Sequence, residues 1–254
     1  MFRQENVIRK SDPMPKAKYD HIYRDLKEKI ESEYYIYQDM LPSEHMLIRE
    51  YDCSRNTVRR ALAELAAEGY VQPLHGKGVR NIFQPIEQTS FTVGGIESFK
   101  ESAERNRQKA STEVVQFAEI MADRKISRKT GFREGAELIY IQRLRFLDGK
   151  PLILDHNYFL KELVKDLTPE IAARSIYDYL EGELGVTIAT SKRTLTVERA
   201  TQIDEKYIDM NDYNCMAVIS SQTFDDNGVQ FEFTQSRHRP DYFRFQDVAT
   251  RRKG

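Results

Sequence analysis

Arg143 and Arg145 stand two residues apart in the run Leu138 to Leu147, where Ile139 and Ile141 keep the same alternation. On a strand, residues two apart project from one face, so two guanidiniums continue an apolar row. Burying them is unfavourable unless they meet an anion, and their planar forks match a phosphate bidentately. An internal salt bridge, for example with Asp155, would satisfy the same pattern. A second group lies at the start of the segment Ser54 to Gly69, where Arg55, Asn56 and Arg59 follow a serine able to cap a helix. Arginine can pair with guanine and asparagine with adenine in the major groove; a solvated charged face is the plainer alternative. The sequence offers little for catalysis. Its five histidines are scattered, with no metal-ligand spacing, nucleophile elbow or phosphate loop. Gly76-Lys77-Gly78 is too short for a phosphate loop and does not precede a helix. No catalytic residue, no metal and no cofactor is therefore expected.

Each group needs elements that hold it. Tyr19, Ile22, Tyr23, Leu26 and Ile30 recur at helical spacing. Leu41-Pro42-Ser43-Glu44 stops that segment and starts a short helix with Leu47 and Tyr51 on one side. Ser54 begins a third helix, on which Val58, Ala61, Leu62 and Leu65 share a face opposite Asn56, Arg59 and Arg60, with Gly69 as its stop. Tyr70-Val71-Gln72, the turn His75 to Gly78, and Val79 to Phe83 then read as a small hairpin, or wing. Farther on, Ile96 to Asn106 reads as helix and Thr112 to Ile120 as strand. Asp148-Gly149 joins strands Leu138 to Leu147 and Pro151 to Phe159. Ser175 to Leu184 is helical, Arg193 to Glu198 extended and Asp204 to Met210 helical. A second hairpin joins Ala217–Phe224 to Gln230–Arg237 across Asn227-Gly228.

Composition sets the outer limits. The chain has 254 residues, 40% of them hydrophobic and 31% charged, a balance suited to a folded protein and too apolar for disorder. The net charge of −1 gives no general attraction to nucleic acid. Basic residues concentrate locally, with Arg55, Arg59, Arg60, Lys77 and Arg80 against Glu64 and Glu68 between Ser54 and Asn81. Apolar runs fall short of a membrane span, and Met1 to Lys10 lacks the apolar core of a signal peptide. Cys53 and Cys215 lie in different halves and suggest no disulfide framework. A cytoplasmic protein is expected.

Residues 19 to 83 resemble the winged-helix domain of the GntR family. The resemblance rests on Leu41-Pro42-Ser43-Glu44, Ser54-Arg55-Asn56-Thr57-Val58-Arg59-Arg60-Ala61-Leu62, and Gly69-Tyr70 through His75-Gly76-Lys77-Gly78. It implies operator contacts from His45, Arg55, Asn56 and Arg59 and from the wing around Gly76, where Thr57, Lys77 and the Gly76 and Gly78 amides suit phosphate or minor-groove contacts. Residues 91 to 248 are similar to the effector domain of the HutC-type subfamily (UTRA domain), whose fold is that of chorismate lyase. Ser98-Phe99-Lys100-Glu101, Ile141-Gln142-Arg143-Leu144-Arg145, Ser175-Ile176-Tyr177-Asp178-Tyr179 and Phe231-Glu232-Phe233-Thr234 through Ser236-Arg237-His238-Arg239 carry that similarity. By it, Ser98, Arg143, Arg145 and Ser175 would hold a phosphate, and Asp155, Glu232 and His238 would face a sugar. Arg239-Pro240-Asp241 departs from the subfamily's usual Arg-Gly-Asp.

The expected architecture is α+β: an arm over 1–18, a winged helix-turn-helix over 19–83, a linker over 84–90, and a mixed α/β effector-binding UTRA domain over 91–250. The resemblance implies a homodimeric repressor on a palindromic operator in double-stranded DNA. Ile153 to Phe159 and Ser175 to Gly185 are similar to the trehalose-responsive members of the subfamily, which implies trehalose 6-phosphate as effector. An amino-sugar phosphate is the alternative ligand, and a lyase-like enzyme domain fused to a DNA-binding module is the alternative of another class.

Overall fold

The computed structural model describes residues 15–84, 91–93, 96–245 and 249. The expected arm up to residue 14 and nearly all of the expected linker lie outside them. The chain forms two compact units that divide near residue 86.

The first unit contains α1 (Pro15–Glu31), α2 (Glu44–Glu50), α3 (Arg55–Ala67), β1 (Val71–Leu74) and β2 (Gly78–Asn81). Helix α1 begins at Pro15, four residues before the apolar stripe would place it, because proline is well suited to a first helical turn. Ser43 and Ser54 cap α2 and α3 as expected, each hydroxyl accepting from the backbone N–H three residues on. Ile22, Leu26, Ile30, Leu47, Val58, Ala61, Leu62 and Leu65 form one buried core. Burying each large apolar side chain contributes about 1.5–3 kcal/mol, which fixes the angle between α2 and α3. Asn81, buried in the wing, donates to the carbonyls of Tyr35 and Ile36 and anchors the wing to the α1–α2 connection.

The second unit is built on a six-stranded antiparallel sheet. Its strands are β4 (Ala110–Met121), β5 (Glu137–Leu147), β6 (Lys150–Leu160), β7 (Ile188–Arg199), β8 (Cys215–Asp225) and β9 (Gln230–His238), in the order β4-β5-β6-β9-β8-β7. Short strands β3 (Phe91–Val93) and β10 (Phe243–Phe245) pair in parallel. Helices α4 (Phe99–Arg105), α6 (Pro169–Ala172) and α7 (Ile176–Gly182) belong to one face of the sheet, and α5 (Arg124–Thr130) and α8 (Gln202–Tyr207) to the other.

The two expected hairpins are present. Asp148 and Gly149 both have positive φ, 49° and 79°, the combination a two-residue turn between twisted strands requires. At Asn227-Gly228 the loop is longer, and the Asp225 carboxylate accepts from the N–H groups of Asn227 and Val229. The helix expected from Ile96 starts only at Phe99, because Ser98 forms a capping box with Glu101. Helices α5 and α6 escaped the sequence reading: seven and four residues give too little apolar periodicity, although Asp123 and Thr168 cap them.

Candidate functional site

In the first unit α2 and α3 form the helix pair. Arg55, Asn56 and Arg59 are all exposed, and they share the outer surface at the start of α3. Arg55 Nε donates to Glu44 Oε2 at 2.9 Å, and Arg59 Nε lies 3.1 Å from both Glu44 oxygens. These hydrogen bonds, led by the one from Arg55, hold the Glu44 carboxyl below its usual range. Thr57 is half-buried, its hydroxyl 2.8 Å from that of Ser54. His45 is exposed at the start of α2. Arg60, part of the same basic segment, instead lies over the Tyr19 ring at 4.3 Å.

The wing tip carries Lys77 and both glycines in the open. Gly76 has φ of 69° with space around its Cα, so backbone conformation alone asks for glycine there. Gly78 has φ of 107°, and an added Cβ would lie 3.0 Å from the Met40 methyl.

In the second unit the sheet floor, α4 and α7 enclose a cavity of about 470 Å³. All seven residues expected to meet the effector line it: Ser98, Arg143, Arg145, Asp155, Ser175, Glu232 and His238. Strand register brings them together. Arg143 lies opposite Asp155, Asp155 opposite Ser236, Asn157 opposite Thr234, and Ile153 opposite His238. The shared parity of Glu232 and His238 therefore places both on the floor.

The two arginines differ. Arg145 has the internal salt bridge: Nε donates to Asp155 Oδ2 at 2.7 Å, Nη1 donates to Thr112 at 2.8 Å, and the guanidinium lies 4.9 Å from the Phe99 ring centre. Ser236 occupies the other Asp155 oxygen at 2.6 Å. Burial alone would raise the Asp155 carboxyl; the charges of Arg145 and Arg143 and the Ser236 bond hold it below its usual value. Asp155 is thus first of all the partner of Arg145. Arg143 is equally buried, yet among the described residues its one hydrogen bond runs from Nε to Asn157 Oδ1 at 2.8 Å. Burial and the neighbouring Arg145 charge push Arg143 down to about 9, against the opposing pull of the Asp155 and Glu232 carboxylates. It remains protonated at neutral pH.

A hydrogen-bonded chain continues from Arg143. Asn157 donates to Thr234 at 2.6 Å, Thr234 to Glu232 Oε1 at 2.6 Å, and Tyr177 to Glu232 Oε2 at 2.8 Å. Burial, with the Glu232 charge, raises the Tyr177 hydroxyl well above its ordinary value, so it is a proton donor throughout the physiological range. Ser98 and Ser175 each accept one bond from their own helix, from the N–H of Glu101 and of Asp178. That leaves each hydroxyl proton available to an anion. Burial holds the His238 imidazole at about 4, hence neutral near pH 7. Pro240 opens a one-turn 3-10 helix, Pro240–Tyr242, with Arg239 at its N-cap and two residues after His238, and His238 still lines the cavity.

Comparison with known proteins then bears on both units. Residues 18–80 match "Bacterial regulatory proteins, gntR family", and residues 105–244 match the UTRA domain. The chain belongs to the GntR family and carries a UTRA domain. Among relatives, the HTH-type transcriptional regulator TreR of Bacillus subtilis strain 168 is 37% identical over 93% of this chain and 98% of its own. The HTH-type transcriptional regulator GmuR of the same strain is 26% identical over 92% of this chain and 99% of its own. The effector binding domain of the B. subtilis trehalose repressor (TreR) is 35% identical with a TM-score of 0.51, covering 56% of this chain and 99% of that domain. The possible transcriptional regulator YydK of B. subtilis has a TM-score of 0.77 at 20% identity, covering 92% of this chain and 99% of its own, and shows a shared fold.

This GntR-family chain is accordingly a transcriptional regulator and not an enzyme. Among the described residues no helix is long and apolar enough to cross a membrane. The UTRA cavity also contains residues the sequence reading did not single out: Asn157, Thr234, Ser236, Tyr177, Lys100, Arg174 and Arg193. The first three were within reach, since period-two alternation from Asp155 and Glu232 leads directly to them. Arg193 reaches the cavity only through the β7–β8–β9 register, which the local sequence does not encode.

Proposed function

We propose that this regulator is a homodimeric repressor of sugar-utilisation genes, acting in the cytoplasm, and that a phosphorylated sugar releases it from a palindromic operator. Trehalose 6-phosphate is the proposed effector. The observation that carries the reading is Arg143: a buried guanidinium with an incomplete set of partners, in a cavity whose nearby serines have protons to donate. A phosphate supplies the missing anion, and Arg143, Ser98 and Ser175 are assigned to it, with Arg145 contributing charge from its pairing with Asp155. Glu232, Asp155 and His238, all in the cavity lining, offer carboxylate acceptors and a neutral imidazole to sugar hydroxyls. The 37% identity to TreR, and the words "trehalose repressor" attached to the matching effector domain, favour the disaccharide over an amino-sugar phosphate.

On the DNA side, Arg55, Asn56 and Arg59 are assigned to base edges and Thr57, Lys77 and the wing glycines to the backbone, with His45 beside them. Two copies of α3 would read half-sites about one helical turn apart. Effector binding would favour a dimer arrangement that misaligns them, and linkage then requires DNA and effector to weaken each other equally. A tenfold change in occupancy needs about 1.4 kcal/mol of preference between the two states. The test is a titration of trehalose 6-phosphate into the full chain bound to a fluorescent duplex, selected by the protein from a random library. Release is expected with trehalose 6-phosphate and not with trehalose. Unchanged DNA affinity at saturating sugar phosphate would overturn the reading, and release by glucosamine 6-phosphate alone would reassign the ligand.

A further inference from the structure

The surface that carries the base-reading candidates also holds an anion. Glu44 is the first residue of α2, and its carboxylate touches both Arg55 and Arg59. A surface built only to attract phosphates would exclude a carboxylate, since each positive contact to the backbone adds affinity through counterion release. The geometry of the contact gives it a different meaning. Arg55 and Arg59 are four residues apart and so lie on one face of α3, within reach of a single carboxylate from the neighbouring helix. Each is gripped at Nε. The Nη atoms of both arginines make no hydrogen bond among the described residues, and both side chains are more than half exposed.

We propose that Glu44 is a positioning residue that holds Arg55 and Arg59 by their Nε atoms so that their Nη pairs are presented to guanine edges. The proposal rests on the base-reading role assigned to α3 above. A guanidinium reads guanine through two parallel donors, and the Nη pair is such a fork once Nε is taken. Long arginine side chains have many rotamers, and ordering them in advance reduces the entropy lost when they meet a base. Buried Leu47 of α2 and Val58 and Leu62 of α3 belong to one core, so the carboxylate is carried on a base that does not shift relative to the arginines. The contact contributes to selectivity more than to folding, because ion pairs between exposed side chains add little stability.

The role separates two quantities that a purely structural contact would change together. Without the carboxylate the arginines are free to swing to phosphates, and one negative charge leaves the DNA-facing surface. Affinity for a random-sequence duplex is then maintained or increased, while affinity for the preferred sequence falls. The experiment compares wild type, Glu44→Gln, Glu44→Asp and Arg55→Ala as full chains. Each is titrated against the duplex selected by wild type and a scrambled duplex of equal length, with melting temperature recorded in parallel. For Glu44→Gln the preferred-to-scrambled affinity ratio is expected to fall about tenfold or more, with unchanged or tighter scrambled binding and a near wild-type melting temperature. Glu44→Asp keeps the charge but retracts it by one methylene; it is expected to narrow the ratio at constant scrambled affinity. A wild-type ratio in both variants, or equal weakening on both duplexes, overturns the positioning role. If wild type selects no sequence, or Arg55→Ala keeps the full ratio, the base-reading assignment of α3 fails instead, and the positioning role fails with it.

Discussion

Arg145 donates from Nε to Asp155 at 2.7 Å on the floor of the UTRA cavity, and that contact divides the work of two arginines set two residues apart. The pair is about as buried as the apolar core, with side-chain exposures of 6% and 7%. Since Arg145 and Ser236 take the Asp155 oxygens, Arg143 is left with an amide oxygen as its partner. One guanidinium is built into the wall; the other is open to a ligand.

Replacing Arg143 should therefore separate binding from stability. Arg143→Met keeps the stem and removes a buried charge whose hydrogen bond goes to an amide oxygen and not to a carboxylate. Its melting temperature without ligand is expected to equal or exceed wild type, while the rise produced by trehalose 6-phosphate disappears. Thermal melts with and without the sugar phosphate check both halves, and a retained ligand shift would contradict the phosphate assignment.

Breaking the other pair should act on folding. Removing one member of a buried ion pair strands its partner, at a loss of about 3–5 kcal/mol. Asp155→Ala leaves Arg145 and Arg143 together without a carboxylate between them. Urea unfolding is expected to show a loss in that range; a change below about 1 kcal/mol would mean the pair behaves as if exposed to solvent.

Tyr177→Phe tests the acceptor end of the cavity. Glu232 keeps Thr234 but loses the phenol donor, and a hydrogen bond to a charged group contributes about 1.5–3 kcal/mol. Lower stability in urea is expected, together with weaker sugar-phosphate binding at an unchanged requirement for Arg143. Calorimetric titration reads the second effect.

The pH dependence follows from two imidazoles. Burial holds His156 and His238 at about 4, against an ordinary value of 6.5; at His156 the nearby Lys129 charge acts in the same direction. Between those limits the unfolded chain binds more protons than the folded one, so stability rises with pH through the window. The stabilisation is complete above about pH 6.5 and is lost as pH falls toward 4, with a slope approaching about 1.4 kcal/mol per pH unit for each group. Urea midpoints at pH 7.5, 6 and 5 should decline in that order. A flat profile would show that both rings take up a proton in the folded state as readily as in the unfolded chain.

Periodicity and caps made much of this molecule readable in advance. Ser43, Ser54 and Ser175 mark helix starts because their hydroxyls satisfy otherwise unpaired N–H groups, and Asp148-Gly149 fixes a hairpin because both residues accept positive φ. Strand parity placed Arg143 with Arg145 on one face. The hairpin makes β5 and β6 neighbours, but their register sets Asp155 opposite Arg143, and only the side-chain geometry shows the carboxylate bonded to Arg145 across the diagonal. The Glu44 contact was hidden for a related reason: Arg55 and Arg59 lie 11 and 15 residues from it in sequence, and only the packing of α2 on α3 brings them together.

Calorimetric titration of the full chain with trehalose 6-phosphate, trehalose and inorganic phosphate, on wild type and Arg143→Met, bears most directly on the UTRA cavity as a phosphorylated-sugar site. Wild type should bind trehalose 6-phosphate at least tenfold more tightly than either fragment, a difference of about 1.4 kcal/mol or more, and Arg143→Met should lose that advantage. Equal affinity for trehalose and its phosphate, or full retention in Arg143→Met, would contradict it.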